Sequence, residues 1–118
     1  MSLRTRRIGE QLRGEIARIL REEASDPGLR MVTLTRVDVA PDLSHALVFW
    51  SIVDLNDNTD VESVAAALER VARFVRRRVA RELPLRRSPE LRFRHDPSIE
   101  LGSRMLSILR SLQDDEKT

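Results

Sequence analysis

Residues 60–82 constrain the fold most, because their apolar side chains recur at the three- and four-residue spacings of one long α-helix. Asp60 is suited to cap the start of this helix, and Pro84 prevents it from continuing much beyond Glu82. A stripe of this kind predicts that one side of the helix is buried. The stripe consists of Val61, Val64, Ala65, Leu68, Val71, Ala72, Val75 and Val79.

The opposite side of this helix carries arginines at steps of three, four and four residues, which places them in one row. The sequence has no acidic residue between Glu69 and Glu82 that could neutralise the row. Like charges four residues apart destabilise a helix by a few tenths of a kcal/mol, so an uncompensated row favours a polyanionic partner. An ordinary solvated face is the alternative interpretation. The row comprises Arg70, Arg73, Arg77 and Arg81, and Arg76 and Arg78 widen it.

The length and composition indicate a single domain without disulfides. The 118 residues suffice to bury a core, and the absence of cysteine excludes thiolate chemistry. No secretory signal and no run of about 20 apolar residues is present, so we expect a cytoplasmic protein that does not enter membranes. The net charge is only +2, but ten arginines and two glutamates lie in residues 70–94. This uneven distribution indicates that a partner binds the arginine-rich side of the protein.

The remaining segments predict the order α-β-β-α-β-α. A short connector joins the first two strands, so they must pair antiparallel, whereas the long helix is a crossover between parallel strands. The predicted fold class is α+β, a single domain with a mixed three-stranded sheet and helices packed on one face. We expect this domain to cover residues 1–113 and a short acidic disordered tail to cover residues 114–118. The predicted elements are residues 4–23, 31–39, 45–53, 60–82, 90–95 and 99–112.

Signals for catalysis or metal binding are weak. Residues 54–60 alternate acidic and amide side chains like the start of a calcium loop, but Thr59 and Ala65 stand where that loop needs glycine and glutamate. His45 and His95 have no second ligand at helical or strand spacing. No nucleophile elbow, Walker loop or dinucleotide fingerprint is present. We therefore expect no cofactor, no small-molecule substrate and no enzymatic activity.

Aromatic side chains are too few for a base-stacking surface. Phe49, Trp50, Phe74 and Phe93 are the whole set. Phe49 and Trp50 are neighbours in a predicted strand, so one must face the helices and the other must face away from them. The sequence thus favours contacts with backbone phosphates over reading of bases.

The chain resembles the ribosome-binding factor A family over nearly all of residues 3–112. The segments that carry the resemblance are RTRRIGEQLRGEIARIL, VTLTRVDVAPDLSHALVFWSI and RRSPELRFRHDPSIELG. Within the last segment, Pro89, Glu90, Leu91 and Phe93 match the most specific part of the family pattern.

The resemblance implies a type II KH-like fold and a role in ribosome biogenesis without enzymatic activity. It implies binding to the 30S subunit and its 16S rRNA during late maturation, including rRNA processing at the 5′ end, and an association with cold adaptation. It also implies that a subunit-associated GTPase promotes release. The family kinks its long helix at a glycine, but Val71, Ala72 and Arg73 occupy that position here. Whether the kink persists is left open.

These observations predict an RNA-binding assembly factor whose arginines contact rRNA phosphates. The alternative is a basic adaptor module that binds an acidic protein surface and makes no direct RNA contact. We expect a monomer, and the sequence also leaves a weak dimer open. The predicted RNA-binding residues are Arg70, Arg73, Arg76, Arg77, Arg81, Arg86 and Arg87.

Overall fold

The computed structural model describes residues 2–52, 60–86 and 88–116. Its elements follow the predicted order, with one additional 3-10 helix before the first strand. The bounds are α1 Leu3–Glu22, the 3-10 helix Pro27–Met31, β1 Val32–Val39, β2 His45–Ile52, α2 Val61–Glu82, β3 Glu90–His95 and α3 Ser98–Glu116.

The three strands form one mixed sheet in the order β1-β2-β3. β1 pairs antiparallel with β2, and β2 pairs parallel with β3. A bulge between Leu34 and Arg36 shifts the β1–β2 register by one residue. The predicted fold class and strand pairing are therefore confirmed.

Local capping explains where the helices begin. Ser2 accepts a hydrogen bond from the Thr5 backbone N–H at the start of α1, and Asp60 accepts one from the Glu62 backbone N–H at the start of α2. The unpredicted 3-10 helix begins in the same way, because the Asp26 side chain accepts from the Gly28 backbone N–H.

The core lies between the inner face of the sheet and one side of both α1 and α2. Trp50 is fully buried at its centre, whereas Phe49 is half-buried on the outer face beneath the Arg36 guanidinium, 4.2 Å from the ring centroid. The prediction that one of these two aromatic residues faces the helices and the other faces away from them is confirmed. The helical residues of the core are Ile8, Leu12, Ile16, Ile19, Leu20, Val64, Ala67, Leu68, Val75 and Val79.

α1 packs unusually closely on β1 at Gly9. A Cβ atom added to Gly9 would lie 2.5 Å from the Val37 carbonyl oxygen, which is a backbone atom that cannot rotate away. By contrast, a Cβ atom added to Gly14, on the exposed side of the same helix, would meet nothing within 4 Å. The absence of a side chain at Gly9 therefore sets the distance between the helix and the sheet.

We expect Gly9→Ala and Gly14→Ala to change stability in opposite directions. The first must push α1 off β1, and overpacking of this kind costs about 1–3 kcal/mol. The second gains about 0.5–1 kcal/mol because alanine favours the helix and meets no obstacle. Urea unfolding of both variants measures this difference, and equal shifts would contradict the close contact.

α3 differs most from expectation. It extends to Glu116, beyond the predicted end at residue 112, so the start of the predicted disordered tail is helical. The apolar residues of α3 are exposed, and its main contact is with β2. Residues 117–118 lie outside the described residues.

Candidate nucleic-acid interface

The outward side of α2 presents three arginines in a row about 12 Å long. Arg73, Arg77 and Arg81 are exposed and lie one helical turn apart, opposite the buried side of the helix. Within the described part of the chain, no acidic side chain lies within 4.0 Å of their guanidinium nitrogens. Their positive charge is thus directed to solvent.

The other arginines of α2 are engaged by neighbouring segments. Arg70 Nη2 lies 3.3 Å from Asp26 Oδ2, although the Arg70 side chain is still largely exposed. Arg78 Nη2 lies 2.6 Å from Glu23 Oε1, and this guanidinium is largely covered. The expectation that no acid neutralises the row is therefore wrong for Arg70 and Arg78. Both acids come from the segment just after α1, which lies beside α2 in the fold but far from it in sequence.

Arg76 points toward the loop that precedes β3. Its Nη2 donates a hydrogen bond of 3.0 Å to the Ser88 carbonyl oxygen, while the side chain remains exposed. This contact orients Arg76 along the edge of α2 that faces β3. Arg76 can therefore contribute charge to the row, but from a different side than Arg73 and Arg77.

Arg86 belongs to a second basic spot at another part of the surface. It lines a cavity of about 400 Å³ together with Arg4, Asp42 and Leu43. Arg4 comes from the start of α1, where the sequence also shows three closely spaced arginines. The structure thus brings together two arginines that are about 80 positions apart. Arg87 lies outside the described residues.

α2 runs as one uninterrupted helix through the position where the family places its kink. Val71, Ala72 and Arg73 are all helical within Val61–Glu82. Arginine favours a continuous helix, whereas glycine at the same place costs about 1 kcal/mol. Because the helix is continuous here, Arg73 stays in line with Arg77 and Arg81 on its surface.

The two histidines and the acidic residues form no metal cluster within the described residues. His45 Nδ1 lies 3.0 Å from the Ser44 hydroxyl, and His95 Nε2 lies 2.7 Å from a Glu100 carboxylate oxygen. The calcium-like segment falls mostly on residues 53–59, which lie outside the described residues. Its last member, Asp60, caps α2. None of the described helices is long and apolar enough to span a membrane.

A buried carboxylate anchors the first turn of α3 to the sheet. Glu100 accepts hydrogen bonds from the Ser51 hydroxyl at 3.0 Å, the Ile52 backbone N–H at 3.2 Å and His95 Nε2. The imidazole must be the donor, because an ionised carboxylate only accepts. Nothing in the sequence singled out Glu100, since its role depends on residues 48–49 positions away.

Burial by itself would raise the pKa of Glu100. The hydrogen bonds from His95, from backbone N–H groups and from Ser51 lower this pKa by more than burial raises it. The pKa of Glu100 therefore lies below its ordinary value of 4.5. The backbone N–H of Ser98 and the hydroxyl of Thr35 likewise lower the pKa of Asp96 from 3.8. Folding thus favours the ionised form of both groups.

We expect this anchor to weaken only in acid. Because both carboxylates have lowered pKa values in the fold, their stabilisation is complete above about pH 4.5 and is lost as the pH falls through the folded-state values. Urea unfolding between pH 7 and pH 3, followed by the fluorescence of Trp50, measures the effect. Glu100→Gln should lower stability at pH 7 by about 1–3 kcal/mol and flatten the acid dependence. An unchanged pH profile in this variant would contradict the assignment.

The mixed sheet, the two helices on one of its faces and the exposed arginine row define a small KH-like α+β domain with a basic surface. A family profile described as Ribosome-binding factor A matches residues 4–109. The chain belongs to the ribosome-binding factor A family.

Individual relatives match over almost the whole chain. Ribosome-binding factor A of Shewanella amazonensis is 43% identical over 114 residues, which cover 96% of this chain and 82% of the relative. The protein of Marinomonas sp. (strain MWYL1) is 41% identical over 115 residues, covering 96% and 89%. The protein of Desulfitobacterium hafniense (strain DSM 10664 / DCB-2) is 39% identical over 114 residues, covering 97% and 90%.

Solved structures of the family share the fold. The crystal structure of ribosome-binding factor A from Thermus thermophilus superposes with a TM-score of 0.68 at 25% identity, covering 77% of this chain and 94% of that one. A homology model of the Thermus thermophilus protein, fitted into a cryo-electron microscopy map of a 30S complex, gives a TM-score of 0.60 at 25% identity, covering 75% and 91%.

Proposed function

We propose that this protein is a non-catalytic assembly factor that binds the small ribosomal subunit and its 16S rRNA during late maturation. In this proposal it assists processing of the 16S rRNA 5′ end in the cytoplasm, supports growth in the cold, and is released by a subunit-associated GTPase. Membership of the family supports the ribosomal partner, as does the 30S complex fitted for the Thermus thermophilus relative.

The observation that carries the proposal is the row of Arg73, Arg77 and Arg81. Exposed guanidiniums that no acid of the described residues approaches within ion-pairing reach gain most from an external anion, and the planar group matches a phosphate with two parallel hydrogen bonds. A continuous helix spaces the three groups by about 6 Å, which is close to the separation of successive phosphates along a strand of RNA.

The other predicted arginines take different places in this proposal. Arg76 and Arg70 flank the row, and Arg70 must exchange its pairing with Asp26 for a phosphate if it takes part. Arg86 provides a second contact together with Arg4, and Arg87 stays a prediction from the sequence. Arg78 is assigned to the fold, because Glu23 holds it.

The salt dependence of binding tests the proposal. Each rRNA phosphate contacted releases counterions, so the logarithm of the association constant should fall with the logarithm of salt concentration by about 0.7–0.9 per contact. Co-sedimentation with purified small subunits between about 50 and 300 mM KCl measures this slope, and we expect a value of at least about 2 for the three-arginine row. A slope near zero would contradict phosphate binding.

Nuclease treatment distinguishes the adaptor alternative. An adaptor that recognises an acidic protein surface would still be retained by its target in a nuclease-treated extract, whereas an rRNA-binding factor would be released. If the factor is still retained after complete digestion of the RNA, its partner is a protein and the proposed rRNA contact is contradicted.

A further inference from the structure

A cavity beside the arginine row contains the only aromatic side chain of α2. Its volume is about 350 Å³, and ligand pockets have volumes of about 300–1,000 Å³. Phe74 is half-buried, because it packs against the core and also lines this cavity. The other lining residues are arginines from the following two turns of α2 and one acid from the segment after α1. The lining consists of Phe74, Arg77, Arg78, Arg81 and Glu23.

Helical geometry places the Phe74 ring at the edge of the arginine row. Arg77 and Arg81 follow Phe74 by three and seven residues, so the three side chains lie within about 60° of one another around α2. Both guanidiniums are exposed, and no described acid lies within 4.0 Å of them. Two available cations therefore stand next to one aromatic ring.

Glu23 is the one acid in the lining, and its carboxylate is already paired. Its Oε1 lies 2.6 Å from Arg78 Nη2, and its Oε2 lies 3.3 Å from Arg18 Nη2. The side chains of Glu23 and Arg78 are both largely covered, so this pair forms a fixed wall of the cavity. Because two arginines offset the charge of Glu23, the positive charge that a ligand meets comes from Arg77 and Arg81.

A nucleotide of single-stranded RNA combines the two chemistries that this cavity offers. Its phosphate is an anion for the guanidiniums, and its base has a flat π-face that stacks on an aromatic ring. The carboxylates of an acidic protein surface have no such face. A base inside a duplex is already stacked on its neighbours, so only an unpaired base can enter the cavity.

We propose that this cavity receives one unpaired base of the RNA whose phosphates lie on the arginine row, with the base stacked on Phe74. Such docking rests on the function proposed above and narrows it, because it requires single-stranded RNA at this part of α2. Stacking tolerates any base, since every base has a π-face. The scarcity of aromatic residues in the chain agrees with this arrangement, in which one ring serves one base.

Fluorescence anisotropy with a labelled single-stranded oligoadenylate and the purified protein tests the stacking. Phe74→Leu keeps an apolar side chain against the core but removes the ring, and it should weaken binding about 5-fold or more. The dependence of the association constant on salt should keep the same slope, because stacking releases no counterions. Phe93→Leu is the matched control, because Phe93 is also half-buried against the core but does not line the cavity. This control should bind like the unmodified protein.

Phe74→Trp gives a direct signal for the stacked base. The larger ring should bind oligoadenylate within a few-fold of the unmodified protein, and the RNA should quench the fluorescence of the added tryptophan. The native Trp50 is fully buried, so the unmodified chain gives the background for this measurement. Circular dichroism checks that both Phe74 variants are folded.

Four outcomes would overturn the docking of a base: unchanged affinity of Phe74→Leu, an unquenched Phe74→Trp protein, no binding of the single strand, or equal affinity for the single strand and its duplex. Poly-glutamate that binds as tightly as the RNA and is weakened equally by Phe74→Leu would identify an acidic protein as the partner and also overturn it. A salt slope near zero for the unmodified protein would contradict the proposed phosphate contacts themselves. A steep slope that Phe74→Leu leaves together with full affinity would contradict only the base.

Discussion

Reversing two charges of the α2 row, with Arg73→Glu and Arg77→Glu together, is expected to weaken binding to the small subunit on the order of 100-fold or more. Hydrogen bonds to charged groups contribute about 1.5–3 kcal/mol each, and two are lost here. The salt slope should also fall by about 1.5 because two phosphate contacts disappear. Folding should be nearly unchanged, since both side chains are exposed and contact no described acid. Co-sedimentation and circular dichroism measure the two expectations.

A matched control for this variant is available on α3. Arg104→Glu with Arg110→Glu changes the net charge by the same amount, and both residues are exposed on an element that does not carry the row. This control should bind within a few-fold of the unmodified protein. Equal losses of affinity in both variants would indicate a general charge effect. Intact binding by the Arg73→Glu, Arg77→Glu protein would show that the interface lies elsewhere.

Placing a carboxylate at Val75 is expected to unfold the domain. Val75 has no exposed surface and lies in the hydrophobic core on the inner side of α2. An unpaired charge in such a position costs several kcal/mol even after relaxation, and the lost valine adds about 1.5–3 kcal/mol. A domain of this size has only about 5–15 kcal/mol of stability in total.

Far-UV circular dichroism and urea titration measure the effect of Val75→Asp. Ala66→Asp serves as the control, because Ala66 is exposed on the same helix and the change adds the same charge. It should cost only about 0.5–1 kcal/mol through lower helix propensity. A folded, cooperative Val75→Asp protein would show that the inner side of α2 is not the core side.

Periodicity was sufficient to predict most of the architecture. The three- and four-residue spacing of α1 and α2 and the β-branched runs of β1 and β2 gave bounds that agree with the structure to within one or two residues. β3 agrees at both ends. These elements have strong local patterns because one side of each faces the same core.

The candidate site was only partly predictable. The positions of the arginines on α2 follow from helical geometry alone, so the row was visible in the sequence. The sequence did not show which of these guanidiniums pair with an acid. Asp26 and Glu23 approach Arg70 and Arg78 only after α1 and α2 pack. The joining of Arg4 and Arg86 likewise depends on the tertiary fold.

The sequence by itself determined the order of helices and strands, the buried sides of α1 and α2, and the line of positive charge along α2. Each of these follows from residues close together in the chain, because local repeat distances fix which side chains share a face. Only the tertiary structure decided which of those charges pair with acids of the described residues, why Gly9 has no side chain, how Glu100 anchors α3, and that the described part of the chain does not cover the apolar side of α3. These properties depend on distances between elements that are far apart in sequence, and packing alone sets those distances.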